Sequence, residues 1–411
     1  MGGGLMQLVA YGVQDIYLTG NPQITFFKVV YRKHTNFSME CIRQIFKGTL
    51  ADGARVVATL SRNGDLVHDC FLKATLEEFM PGESRDAVPN PGHNMINNIE
   101  CEIGGQLIDK HYGHWMEAHA QLTEEGDYME IGDDTGPLYG APTSLINNMA
   151  FCSPFQCTAM AGGVLYNKFL NSAATKSATI FVPLRFWFCR HVGLALPLIA
   201  LQYHEVNINI TLSGVFGRIA SALSLWCNYI YLDTDERRRF AQVSHEYLIE
   251  QVQYQSFSQS ATQMTFKLNF NHPVKELVWC FMALAWGTHI TSAGYFQISG
   301  TQGISPTFQL KLNGHDRFEK QEGEYFSRYQ LMKYHNNKSK GSTSDTINVY
   351  SFALKPDEHQ PSGTCNFSRI DNSQLLCTGL SADDTGTFNI YAVNYNVLRI
   401  MSGMGGLAYS N

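Results

Sequence analysis

Apolar and polar residues alternate with a period of two in many short segments of this chain. Such alternation is typical of a β-strand that buries one face and exposes the other. Clear examples are residues 207–212, 265–270 and 308–312. Amphipathic helical patterns are few and short. They predict helices over residues 112–124, 194–202 and 234–242. The pattern therefore predicts an all-β chain with turns between short strands.

The strand pattern occurs twice along the chain. An early strand around Glu40 matches a later strand around Glu250, at an offset of 210 residues. A strongly apolar strand follows in each copy. A Gly-Gly pair ending at Gly105 then matches an Asn-Gly pair ending at Gly314, at an offset of 209. Both pairs suit two-residue hairpin turns, which need positive φ angles. The repeat therefore predicts two copies of one folding unit.

The last strands of the two copies are closer together in sequence. Asn228 matches Asn389 at an offset of only 161, so the first copy carries about 49 extra residues. We place them in residues 111–177, which are rich in Gly, Asn, Thr, Asp and Pro and are predicted to form a long surface loop. Each copy then holds about eight strands. The predicted fold is two tandem eight-stranded jelly-roll sandwiches, a double jelly roll, with short helices in loops. Periodicity by itself leaves other sandwich topologies open.

The first 26 residues have no counterpart in the repeat. They are nevertheless apolar, and an apolar arm must be buried against its own domain or against neighbouring molecules. We favour neighbouring molecules. The predicted division is an arm over 1–26, a first jelly roll over 27–235 and a second over 236–411. The candidate assembly residues of the arm are Leu8, Tyr11, Ile16 and Tyr17.

The composition suggests that much of the protein surface is covered by neighbouring molecules. Charged residues make up 16% of the 411 residues, against about 25% in ordinary soluble domains. The net charge of −6 disfavours a dedicated nucleic-acid binder, which needs clustered Lys and Arg.

The ten cysteines form no CxxC pair and are expected to be buried free thiols from a reducing compartment. The start of the chain shows no secretory signal. The longest apolar run, residues 277–286, is too short to span a bilayer.

Catalytic motifs are missing. GxGxxG, GxxxxGK[ST] and GxSxG do not occur, and the two His-Glu pairs at His204 and His245 lack the second histidine of HExxH. A possible zinc-ligand grouping comprises His111, His114, Glu117 and His119. Its spacing matches no established site, so surface or interface histidines are the favoured interpretation. The acidic residues of the long loop are interpreted as solvated, and they are Glu124, Glu125, Asp127, Asp133 and Asp134. We predict no catalytic, cofactor-binding or metal-binding residues.

Three N-x-[ST] sequons begin at Asn36, Asn337 and Asn366. Asn337 is the candidate glycosylation site, because its segment is the one that is predicted to be an exposed loop. Host glycosylation is disfavoured, since no secretory signal is visible.

Four long segments resemble the major capsid proteins of nucleocytoplasmic large DNA viruses, the group that includes chloroviruses, iridoviruses and giant amoebal viruses. They are residues 8–28, 193–206, 360–371 (QPSGTCNFSRID) and 394–409. They extend from one end of the chain to the other. Blocks of this length are far more specific than a short motif.

The resemblance implies a structural subunit of the virion shell, produced late in infection and assembled in the host cytoplasm. It implies two eight-stranded jelly rolls side by side, and a homotrimer that forms a capsomer of pseudo-sixfold outline. Neighbouring capsomers, minor capsid proteins and inner membrane-associated proteins are the implied partners, without direct nucleic-acid contact. The long loop would form the outer tower, and the arm would lie at the inner face.

Two other functions stay open at this stage. One is a minor or vertex capsid protein of the same fold, which copy number per particle would separate from the main shell protein. The other is a jelly-roll carbohydrate-binding or carbohydrate-hydrolysing protein that uses carboxylates of the long loop. Aromatic platforms beside paired acids would favour that function, and Trp115 and Tyr128 are the nearby candidates.

Overall fold

The structure is a computed structural model. It describes residues 6, 9–10, 12–76, 91–123, 129–130, 151–152, 179–214, 216–259, 261–283, 306–335, 347–380 and 386–409. The chain divides into two compact units, Met1–Asn36 and Phe37–Asn411. Within the described residues, the first unit holds a 3₁₀ turn over Val13–Asp15 and helix α1 over Ile16–Thr19.

The larger unit is built almost entirely from strands. Those of its first half are β1 (Phe37–Gln44), β2 (Phe46–Lys47), β3 (Arg55–Thr59), β4 (Leu66–Leu76), β5 (Ile96–Ile103), β6 (Gln106–Tyr112), β7 (Met129–Glu130), β8 (Phe151–Cys152), β9 (Thr179–Pro183), β10 (Leu196–Pro197), β11 (Val206–Leu212) and β12 (Ala220–Leu232). Those of its second half are β13 (His245–Ser258), β14 (Gln263–Lys267), β15 (Pro273–Ala283), β16 (Thr307–Leu312), β17 (His315–Glu322), β18 (Ile347–Ser351), β19 (Cys365–Asn366), β20 (Ser373–Thr378), β21 (Gly386–Met401) and β22 (Met404–Leu407).

Short helices connect the strands. They are α2 (Pro91–Asn94), α3 (Gly113–Thr123), α4 (Trp187–Arg190), α5 (Phe216–Ile219), α6 (Thr234–Gln242) and α7 (Leu331–Tyr334). Two 3₁₀ turns, Val192–Leu194 and Phe367–Arg369, and one π-helical segment, Tyr325–Gln330, complete the described elements. In the part of the chain that the structure describes, no helix is both long and apolar enough to cross a membrane.

The main strands of each half form two antiparallel sheets with one shared connectivity, and β7 and β8 form a separate two-stranded sheet. In the first half the sheets run β1-β12-β4, with β9 and β10 both paired to β4, and β2-β3-β11-β5-β6. In the second half they run β13-β21-β15-β18 and β14-β20-β16-β17, with β19 beside β15 and β22 beside β21. The order of the main strands is the same in the two halves, and it is that of a jelly roll. The predicted double jelly roll is therefore confirmed.

The matched hairpins are also confirmed. Strands β5 and β6 join through Gly104-Gly105, and β16 and β17 join through Asn313-Gly314. Gly105 and Gly314 both have φ of 82°, and their partners also have positive φ. A Cβ at either glycine would meet no atom within 4 Å. Gly105 and Gly314 are therefore needed for their backbone angle and not for space, whereas a Cβ on Gly104 would clash with the His204 ring.

Each jelly roll has its own hydrophobic core, and the two cores differ in composition. The first is mainly aliphatic, with Val56, Leu72, Ile99, Ile208 and Leu225 among its fully buried members. The second is dominated by aromatic rings, including Phe266, Trp279, Phe308, Phe326 and Phe388. The two units thus share a topology without sharing a packing pattern.

Two local predictions need correction. The helix predicted over 194–202 is wrong, because a 3₁₀ turn ends at Leu194 and β10 follows at Leu196–Pro197. Pro197 has no N–H to donate, so it suits this edge strand better than a helix interior. The loop predicted over 111–177 begins instead with the end of β6 and with the buried helix α3. The helix predicted over 234–242 is confirmed as α6.

The eight cysteines whose side chains the structure describes are all free. Five are fully enclosed, as the sequence suggested, and these are Cys70, Cys101, Cys227, Cys280 and Cys377. Cys41, on the edge strand β1, departs from that expectation because it is exposed.

Candidate functional site

The feature that distinguishes this molecule from two independent sandwiches is the contact between its jelly rolls. Ile249 of β13 and Leu398 and Ile400 of β21 lie in the core cluster of the first jelly roll. Their side chains are essentially fully buried. The second jelly roll therefore completes the apolar core of the first, and we call the contact surface between them the inter-barrel junction.

Helix α3 extends this junction. The helix follows the last strand of the first hairpin, and it carries Trp115, Ala118 and Leu122 on one face. These residues pack against Val278 and Tyr391 of the second jelly roll, in a separate buried cluster. The Trp115 indole stacks at a tilt over the Tyr391 ring, with 5.0 Å between centroids. Because Trp115 is fully buried, it is unavailable as an aromatic platform for a sugar.

Polar side chains join strand β6 of the first jelly roll to β13 of the second. The Gln251 carboxamide donates to the Ile108 carbonyl and accepts from Asn396 at 3.0 Å. The backbone N–H of Val252 donates to Asp109 Oδ1 at 3.2 Å. These bonds satisfy buried polar groups where the edges of two different sheets meet, which an apolar contact could not do.

A buried ion cluster lies at the same junction. Arg190 of α4 contacts Glu250 of β13 at 2.5 Å, and Lys275 of β15 contacts the same carboxylate oxygen at 2.8 Å. Lys275 also donates to the Pro356 carbonyl. Burial by itself would raise the pKa of Glu250, but the two cations lower it below its usual value. The carboxylate therefore stays ionised and joins the two halves.

The glycine-rich segment near the end of the chain approaches the first jelly roll closely. The Gly405 N–H donates to His204 Nδ1 at 3.2 Å, and the Tyr203 N–H donates to the Gly403 carbonyl at 3.0 Å. A Cβ on Gly405 would lie 2.7 Å from Leu201, and one on Gly403 would lie 2.6 Å from the Tyr203 ring. Gly405 is therefore required for the close approach of the two segments, unlike Gly105 and Gly314 of the hairpins.

The four residues of the hypothetical zinc site have separate partners. His111 Nε2 lies 2.9 Å from Asp109 Oδ2, and Glu117 Oε2 lies 2.6 Å from His93 Nδ1. All four of these side chains are buried. Among the described residues, no group of three or more His, Cys, Asp or Glu side chains could hold a metal ion.

His114 and His119 are structural residues of α3. His114 Nδ1 hydrogen bonds with the Tyr391 hydroxyl across the junction, and His119 Nδ1 bonds with Thr123 Oγ1 at 3.1 Å. Burial lowers the pKa of His114 to about 4. Burial also lowers the pKa of His119, and the nearby Arg190 lowers it further. Both imidazoles are therefore neutral at pH 7. His114 fits the interface alternative of that interpretation, with the interface lying inside the chain, whereas His119 bonds within its own helix and His111 pairs with Asp109.

The candidate residues of the arm are described only in part. Ile16 and Tyr17 belong to α1, and their side chains are 54% and 90% exposed. Leu8 and Tyr11 lie outside the described residues, as do Asn337 and the acidic loop residues 124, 125, 127, 133 and 134. Asn366 is engaged locally, since its side chain accepts from the Ser368 N–H at the start of a 3₁₀ turn.

Sequence reasoning missed the residues of the ion cluster. Arg190, Glu250 and Lys275 are far apart in the chain, and each looks like an ordinary strand or loop charge. One weak signal was available: Lys275 lies just before the strongly apolar part of its strand, where an ionised side chain needs a partner.

Two family models match the chain. The model "Major capsid protein N-terminus" matches residues 25–233, and the model "Large eukaryotic DNA virus major capsid protein" matches residues 236–406. Two curated relatives, both described as major capsid proteins, align over their full length and over all of this chain. The protein from Pyramimonas orientalis virus is 46% identical, and that from Paramecium bursaria Chlorella virus 1 is 39% identical.

A solved structure gives the same result. A chain in a quasi-atomic model of the PBCV-1 virus capsid aligns with a TM-score of 0.72 and 35% identity. The alignment covers 94% of this chain and all of that one.

Proposed function

The chain belongs to the family of large eukaryotic DNA virus major capsid proteins, and from this premise we propose that three copies associate into a capsomer of pseudo-sixfold outline. The chain is a structural subunit of the virion, and its relatives are capsid proteins and not enzymes. Trimer formation is the step that would turn two similar jelly rolls into six similar units around one axis.

One observation carries this proposal: the two jelly rolls have the same strand connectivity and are held together by the inter-barrel junction. Two jelly rolls with the same strand order lie in one chain, and buried apolar, hydrogen-bonded and ionic contacts hold them together. A pseudo-sixfold trimer needs the two jelly rolls of a chain to keep one relative orientation. A loosely linked pair would let that angle vary between copies.

We further propose how the contacts divide in the shell. The trimer would be a closed ring of heterologous contacts, and an obligate interface of this kind buries on the order of 2,000–5,000 Å². Contacts between neighbouring capsomers would be smaller and more polar, which permits correction during assembly. The low charged content of 16% supports a surface that is mostly interface.

The division of the chain into an arm over 1–26 and jelly rolls over 27–235 and 236–411 also remains our proposal. The family matches at 25–233 and 236–406 support it. We assign Leu8, Tyr11, Ile16 and Tyr17 to contacts with minor capsid proteins or inner membrane-associated proteins, without direct nucleic-acid contact. The exposure of the apolar side chains Ile16 and Tyr17 supports a role in binding. Assembly in the host cytoplasm is part of the same proposal.

Light scattering on the purified chain tests the trimer. We expect a stable trimer at micromolar concentration. A stable monomer without larger species would contradict the proposal.

Deletion of residues 1–26 tests the arm separately. We expect intact trimers by light scattering but defective shells in a particle-assembly assay, because none of the described residues of the arm belongs to a strand of either sandwich. A second variant, which replaces Ile16 and Tyr17 with Ser in the full-length chain, should show the same assembly defect with intact trimers. Complete shells from the deleted chain would exclude the proposed role of the arm.

A further inference from the structure

Three cysteines lie together in the first jelly roll. Cys70 of β4 and Cys227 of β12 are direct cross-strand partners in adjacent strands of one sheet. Their sulfur atoms are 3.1 Å apart, and both residues are fully buried. Cys189 of α4 packs against the same core, lies close enough to Cys70 to raise the pKa of its thiol, and is partly exposed. The register of the sheet therefore creates a pair of facing thiols with a third beside it.

The facing pair is close to disulfide geometry. Directly opposed residues of an antiparallel sheet have Cβ atoms about 4.5–5.5 Å apart, and a disulfide needs about 3.5–4.5 Å. The two sulfur atoms need to approach by only about 1 Å to reach a bond of about 2.05 Å. A register shift directly after Cys227 interrupts the pairing of β12 with β4, although β12 pairs regularly with β1 on its other side. A small shift of the strand can supply the missing distance.

We propose that Cys70 and Cys227 are a modification site, which forms a cross-strand disulfide when the protein meets a small-molecule disulfide outside the reducing compartment. Cys189 is the entry thiol. Its thiolate attacks the small disulfide RSSR and releases one RSH, which leaves a mixed disulfide on Cys189. Cys70 attacks the Cys189 sulfur and releases the second RSH. Cys227 then attacks the Cys70 sulfur, and Cys189 leaves as a thiol. Two protein thiols are oxidised, and one RSSR is reduced to two RSH.

Burial explains why the pair can stay reduced during folding. Burial raises the pKa of the Cys70 thiol well above its usual value, and the neighbouring thiols raise it further. Only a thiolate attacks a disulfide, so oxidation is slow unless Cys189 delivers the first bond. The product would join two interior strands of the first jelly roll, whereas the described cysteines of the second jelly roll have no facing thiol partner.

Oxidation of the full-length protein tests the proposal. The reduced protein is incubated with glutathione disulfide, remaining thiols are alkylated, and peptides are mapped without reduction. We expect a cross-linked peptide that contains Cys70 and Cys227. We also expect the midpoint of thermal unfolding to rise by about 5 °C or more relative to the reduced protein, since the bond closes a long loop.

Variants separate the roles of the three thiols. In Cys227→Ala, oxidation should no longer raise the midpoint of thermal unfolding. In Cys377→Ala, which removes a buried cysteine of the second jelly roll, oxidation should still raise it. Cys189→Ala should slow formation of the bond at least tenfold without changing the final product. Full oxidation without a cross-link between Cys70 and Cys227 would overturn the proposal, as would an unchanged thermal gain in Cys227→Ala. If Cys227→Ala does not fold, the peptide map of the unaltered protein decides.

Discussion

The two jelly rolls have the same strand order but fill their sandwiches differently. The described core of the first is mainly Val, Leu and Ile, and that of the second is built around Phe and Trp rings packed edge-on or tilted. In the second, the Trp279 ring lies 5.2 Å from Phe308 and 5.1 Å from Phe326. The comparison teaches that the position of apolar residues and the turns between strands set the topology. The identity of the core side chains sets only the packing within it.

The largest expected loss of stability follows from disrupting the aromatic core of the second jelly roll. Trp279→Ala should lower the free energy of unfolding by about 3–5 kcal/mol, because Phe308 and Phe326 lose their contact with the indole and a large cavity remains. The matched change in the aliphatic core, Leu72→Ala, should cost about 2–4 kcal/mol. Denaturant titration followed by far-ultraviolet circular dichroism measures both. An equal or smaller loss for Trp279→Ala would show that the aromatic core collapses as readily as the aliphatic one.

The next effect concerns the contact that makes the two jelly rolls one unit. Glu250→Gln should destabilise the protein by about 3–5 kcal/mol, because it leaves Lys275 and Arg190 as buried charges without a counterion. The control on the same strand is Glu246→Gln, whose ion pair with Arg399 is largely exposed. It should cost less than about 1 kcal/mol. Thermal unfolding by calorimetry measures the difference. We expect the Glu250 variant alone to separate one unfolding transition into two, and equal losses would refute the role of the ion cluster.

A smaller effect is the pH dependence of stability, which should have opposite sign for a histidine at the junction and for one in the second jelly roll. His114, at the junction, has a pKa lowered to about 4 by burial. Its unfolded pKa is near 6.5, so stability is present above pH 6.5 and is lost as pH falls toward 4. For His335, burial lowers the pKa, but bonds to Asp357 and Glu276 outweigh this and raise it to about 9. Its contribution is therefore present below pH 6.5 and is lost as pH rises through about 9.

Free energies of unfolding measured from pH 4 to pH 10 test both effects. Plotted against pH, they should fall on the acid side (the acid limb) because of His114 and on the alkaline side (the alkaline limb) because of His335. His114→Gln should flatten the acid limb by up to about 3 kcal/mol, and His335→Gln should flatten the alkaline limb by a similar amount. An acid limb that His114→Gln leaves unchanged would assign the acid sensitivity to other groups, such as Glu250.

Much of the fold could be predicted from the sequence because its signals are local. Alternation along a strand reports which face is buried, and the pairs at Gly105 and Gly314 report a turn that only a few residue types tolerate. The helix predicted over 194–202 failed for a local reason as well. Its apolar spacing fits a helix, but Pro197 and the pairing of β10 with β4 favour an extended edge strand.

The junction could not be predicted in the same way. Trp115 lies in the segment predicted to form a long surface loop, but in the fold it packs against the second jelly roll. Whether α3 is exposed depends on a surface whose residues, such as Val278 and Tyr391, lie more than 150 positions further along the chain. The histidines of this region likewise lie near one another in sequence, but in the fold each faces a different partner.

The strands, the matched hairpins, the two-copy organisation and the family could all be predicted from the order of residues. Each of these depends on residue spacing along the chain, which folding does not change. The contacts between the copies, in contrast, exist only in the folded chain. Glu250 meets Arg190 and Lys275, Gly405 meets Leu201, and Cys70 meets Cys227 because of strand pairing and sandwich packing. These side chains acquire their burial and their partners only when distant segments are brought together, so no local pattern encodes them.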